Sequence, residues 1–60
     1  MNDEKLILML KQTLLYQNIK QKDIAKHLNI SESAVSKFKK GKLILSEVKQ
    51  GELYKFLLNL

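Results

Sequence analysis

Apolar residues recur at three- and four-residue intervals along this 60-residue chain, proline is absent and glycine occurs twice. That pattern argues for helices and against strands, so the expected class is all-α. In the first segment Leu6, Met9, Leu10, Thr13 and Leu14 fall on one stripe of a helix running from about Asp3 to Tyr16. Asn2 or Asp3 is placed to cap it, and Asp3 and Glu4 suit the positive end of its dipole. Ile7, Leu8 and Leu15 lie beside or opposite the stripe. The helix therefore carries more apolar surface than so short a chain easily covers, and some of it is expected to face a second subunit.

A polar break at Gln17 and Asn18 precedes a second pattern, in which Ile24, Ala25 and Leu28 share one face of a helix from about Gln21 to Leu28. Asn29 follows as a turn residue that tolerates positive φ, with Ile30 as an apolar plug. Ser31 is the expected N-cap of a third helix. Glu32 sits in its first turn, Val35 and Phe38 point inward, and Gly41 stands just past its end. Two short helices joined by about three residues make an αα-corner, here spanning about residues 21–40. Ala25 lets the two helices cross closely.

In the last segment Leu43, Ile44 and Leu45 precede Ser46, the expected cap, and Glu47. Leu53, Phe56, Leu57 and Leu60 then recur with helical spacing. Gly51 interrupts this pattern at a cost of about 0.5–1 kcal/mol relative to Ala, so one long helix and two short ones both remain open. The expectation for residues 1–60 is thus a single domain, a compact four- to five-helix bundle. Tyr54 and Leu58 lie off the main stripe and join Ile7 and Leu15 as candidates for an intermolecular surface.

Charge sharpens this picture. The chain holds 11 lysines, no arginine and 6 acids, a net +5. Residues 20–42 contain seven of the lysines against Asp23 and Glu32, so the whole excess lies in the stretch around the αα-corner. Such concentration is the electrostatic footprint expected on a polyanion. It disfavours a membrane-active peptide, whose basic residues would line one long amphipathic face. The longest apolar run, Leu6 to Leu10, is far short of the ~20 residues of a membrane span, and no signal-peptide pattern opens the chain. A cytoplasmic location is expected.

Gln21 at the start of the second helix, Ile24-Ala25, Leu28, Ile30-Ser31, Val35-Ser36 and Gly41-Lys42 together resemble the helix-turn-helix of the Cro and phage-repressor family, also called the XRE family. The match covers about residues 21–42, and the rest agrees only in being helical. The resemblance implies a lambda-repressor-like fold and sequence-specific binding to double-stranded DNA. It further implies that Gln21 bonds a phosphate, and that Glu32, Ser33, Ser36 and Lys37 take base-facing positions on the recognition helix. Lys37 can donate to the guanine acceptors, and Glu32 can accept from cytosine or simply pair with the helix dipole. Lys39, Lys40 and Lys42 are expected on phosphates, with Lys20 and Lys22 either extending that contact or remaining solvated. Asn29 stands where the family most often has Gly, and Lys39 where an acidic residue is common. Without arginine, the best bidentate guanine contact is missing, so discrimination would lean on few direct contacts, DNA shape and half-site spacing.

No catalytic constellation accompanies these residues. His27 is the sole histidine and cysteine is absent, so neither a nucleophile–base pair nor a metal set is expected, and Gly41 and Gly51 make no phosphate loop. No enzyme activity, cofactor or small-molecule ligand is anticipated. The expected function is a small phage, plasmid or bacterial repressor acting as a homodimer on a palindromic operator. The alternative is a protein-interaction module, an antitoxin or adaptor, that keeps the same fold.

Overall fold

The computed structural model describes residues 3–60. They form four helices and no strand: α1 (Asp3–Tyr16), α2 (Gln21–Leu28), α3 (Glu32–Lys39) and α4 (Glu47–Leu58). The expected boundaries of α1 and α2 are met. Asn2, one of the two expected caps of α1, lies outside the described residues. α4 runs unbroken through Gly51, so the last segment is one helix.

Local chemistry accounts for the joints. Asp23 Oδ2 accepts from the Lys20 backbone N–H at 3.0 Å, while the Asp23 N–H donates to the Lys20 carbonyl at 3.0 Å, tying off the start of α2. At its end Asn29 adopts φ 57°, ψ 44°. The Asn29 N–H donates to the Lys26 carbonyl and the Ile30 N–H to the Ala25 carbonyl, the double closure of a Schellman motif. Ile30 is thereby turned onto the core, as expected of a plug. Ser31 Oγ accepts from the Ala34 N–H at 3.0 Å and starts α3. The same closure recurs after α3: Gly41, at φ 76°, donates to the Phe38 carbonyl, and the Lys42 N–H to the Lys37 carbonyl. Ser46 Oγ accepts from the Lys49 N–H at 3.2 Å and starts α4.

α2 packs on α3, α1 on α3 and α4, and α4 on α2. The radius of gyration, 10.1 Å, matches the ~10 Å of a closely packed chain of this length. Leu6, Leu10, Ile24, Leu28, Val35, Phe38 and Leu53 are fully buried, with Ala25, Leu45 and Leu57 beside them. Met9, Leu14 and Phe56, expected on inward stripes, are half-buried at the core margin. Thr13 satisfies its hydroxyl on the Met9 carbonyl at 2.8 Å.

Leu60 departs from expectation: it lies beyond the end of α4 and is 52% exposed, because the helix stops at Leu58 before a further turn could carry it inward. Of the four off-stripe residues, Ile7 and Tyr54 pack against the core, whereas Leu15 and Leu58 stand in solvent.

Two side-chain-to-backbone contacts lock the packing, one short-range and one across 21 residues of sequence. Gln50, buried, donates through Nε2 to the Leu45 carbonyl at 2.8 Å and holds the α3–α4 connection against α4. Lys49 Nζ donates to the Leu28 carbonyl at 2.6 Å, satisfying an acceptor at the C-terminal end of α2, with Glu52 3.5 Å away.

Candidate nucleic-acid interface

α3 is eight residues long, and its inward side is fixed by Val35 and Phe38. At 100° per residue, Glu32, Ser36, Ser33 and Lys37 occupy an arc of about 140° on the other side. Glu32, Ser33 and Lys37 are exposed, while Ser36 is half-buried at the edge of that arc. The arc thus offers two hydroxyls, an ammonium and a carboxylate, all groups that can read donor and acceptor positions on base edges. Ser31 belongs to the cap and not to this surface, because its hydroxyl oxygen is turned back on Ala34.

The expected backbone group divides between the start of α2 and the end of α3. Lys20, Lys22, Lys40 and Lys42 are exposed, and Gln21 and Lys39 half-buried. The structure brings the two clusters together: Lys39 Nζ donates to Gln21 Oε1 at 2.6 Å across 18 residues of sequence. An ammonium only donates, so this bond fixes the orientation of the Gln21 amide, oxygen toward Lys39 and Nε2 on the other branch. The acceptor is a neutral amide oxygen, so this contact is a hydrogen bond and not an ion pair. A cation and an amide donor, arriving from different helices, therefore stand side by side, a pairing suited to a phosphate.

Sequence reasoning missed this pair as a pair; only the unusual basic residue at position 39 signalled that something differs there. It also counted Asp23 only as an acid within the basic stretch, yet its carboxylate is spent on the start of α2. His27 is exposed, and its ring lies over Phe56 with centroids 4.3 Å apart and planes tilted by 31°. Among the described residues no group of three or more His, Cys, Asp or Glu side chains could hold a metal ion, and no helix is long and apolar enough to cross a membrane.

Comparison of the chain with protein-family models, with curated proteins and with solved structures finds no match.

Proposed function

We propose that this chain is a sequence-specific DNA-binding transcriptional regulator in which α2, the Asn29–Ser31 turn and α3 act as a helix-turn-helix of the Cro and phage-repressor type. The observation that carries the reading is the outward face of α3, exposed at Glu32, Ser33 and Lys37, inside the stretch that holds the chain's whole net charge. α3 is the recognition helix, entering a major groove whose ~12 Å width admits one helix. Glu32, Ser33, Ser36 and Lys37 meet base edges. Gln21, Lys20, Lys22, Lys39, Lys40 and Lys42 meet phosphates and set the register.

One module of this size makes a small contact with DNA, so the active form is a homodimer placing two recognition helices about 34 Å apart on a palindromic operator. The exposed Val48, Leu58 and Leu60 supply apolar surface for that association. Repression follows from promoter occupancy in the cytoplasm of a bacterial or phage-infected cell.

A salt series on duplex DNA tests the reading. About six phosphates neutralised per protomer give a log–log slope near −5 for each bound protomer. Absence of duplex binding even at low salt would overturn it and leave the protein-interaction module, which the exposed Leu8 and Leu15 favour.

A further inference from the structure

The outer side of α1 is not covered by the other helices. Leu8 is 55% and Leu15 75% exposed, two turns apart on one side of the helix. Beside them run two adjoining grooves of about 410 and 340 Å³, both bordered by Lys11 and Lys39. Ile7, Leu8, Leu14 and Leu15 supply the apolar lining, with Gly41 at the α3 end. The rim carries Lys11, Lys39 and Lys40 against one acid, Glu4. From Glu4 to Leu15 the surface is about 16 Å long, the span of three helical turns.

We propose that this groove docks an acidic amphipathic helix of a partner protein, leucines against Leu8 and Leu15 and carboxylates against the three lysines, and that docking opposes DNA binding. Charge selects the occupant. An apolar seam flanked by lysines is complementary to leucines flanked by glutamates, and opposite potentials steer the encounter. A second copy of this chain fits poorly, since two-fold packing of the face on itself would set each copy's lysine-rich rim against the other's. Lys39 spends only one of its three donors on Gln21, so it retains donors for a carboxylate. The opposition to DNA rests on the function proposed above: Lys39 and Lys40 belong both to the groove and to the phosphate-facing set. The docking itself does not depend on that function.

The test titrates the full ¹⁵N-labelled chain with a peptide of about four turns, held helical by side-chain lactams, carrying a leucine seam with glutamate flanks. Amide shifts are expected to be confined to residues 4–15 and 39–41. A peptide with the same seam but lysine flanks, and one with glutamate flanks but a serine seam, should each bind at least about tenfold more weakly. Leu8→Ser with Leu15→Ser, both exposed positions whose folding is checked by circular dichroism, should weaken the Leu/Glu peptide by about tenfold or more, and Lys11→Gln should weaken it as well. Shifts centred on another face, or affinity untouched by the leucine substitutions, overturn the docking. So does self-association that the same substitutions abolish, which would make a second copy the occupant. In a separate arm the peptide should displace duplex DNA from the wild-type chain and not from the Leu8→Ser/Leu15→Ser chain, whose own DNA affinity should match wild type. Simultaneous binding of peptide and duplex refutes the opposition. A chain that binds the peptide at this groove but no duplex refutes the DNA reading and leaves the docking standing.

Discussion

The two glycines give opposite expectations under the same substitution. A Cβ added at Gly51 or at Gly41 meets nothing within 4 Å, so neither Gly→Ala change is limited by space. Only the backbone differs. Gly51 lies inside α4, where alanine is favoured over glycine by about 0.5–1 kcal/mol because the unfolded chain has less freedom to lose. Gly41 sits at φ 76°, where an L side chain costs about 1–2 kcal/mol. For 60 residues the unfolding entropy is roughly 0.13 kcal/mol per kelvin, so 1 kcal/mol moves the midpoint by about 8 °C. Thermal melts followed by circular dichroism should therefore show Gly51→Ala raised by about 4–8 °C and Gly41→Ala lowered by about 8 °C or more. A rise for both, or a fall for both, would refute the assignment of one glycine to a helix interior and the other to a left-handed closure. The Gly41 result also bears on the interface, because that closure sets where Lys40 and Lys42 project.

Val35→Asp should leave the chain unfolded in circular dichroism at 25 °C. It puts an unpaired charge at a position 2% exposed, a loss of about 3–5 kcal/mol in a domain whose core supplies little more than that. Ser31→Ala removes the acceptor of the Ala34 N–H, and denaturant unfolding should report a loss of about 0.5–2 kcal/mol. On the DNA side, Ser36→Ala or Lys37→Ala should change the ranking of operator variants in a binding competition. Lys40→Ala should instead weaken all duplexes about equally and reduce the salt slope by about 0.9 per protomer. An equal loss from all three would place the base-facing side elsewhere.

Most of the fold was legible because it is written in interactions reaching no more than five residues. Asn29 and Gly41 announced the left-handed closures they make, Ser31 and Ser46 the caps they form, and Ile24, Ala25 and Leu28 the buried side of α2. Gly51 was ambiguous for a physical reason: its helix penalty is smaller than what burial of Leu53 and Leu57 returns, and only the packed core decides that comparison. The inward stripe overreached at Leu60 because periodicity does not say where a helix stops. For the site, the exposed face of α3 followed from the positions of Val35 and Phe38. The Lys39–Gln21 and Lys49–Leu28 bonds did not, since their partners are 18 and 21 residues apart and no short-range pattern encodes them.

By itself, then, the sequence determined α1 to α3, the start of α4 at Ser46 and the basic stretch that distinguishes residues 20–42, all matters of neighbouring residues and simple charge. Tertiary structure decided which apolar residues are left in solvent and which polar groups from distant segments meet. Four short helices enclose one small core and cover a single side of α1. Leu8 and Leu15 are therefore left facing water beside a lysine-rimmed groove, and Lys39 is brought against Gln21 at the junction of two helices. Both outcomes depend on how the helices cross, which is settled by the simultaneous packing of Leu6, Leu10, Ile24, Phe38 and Leu53 and not by any one segment.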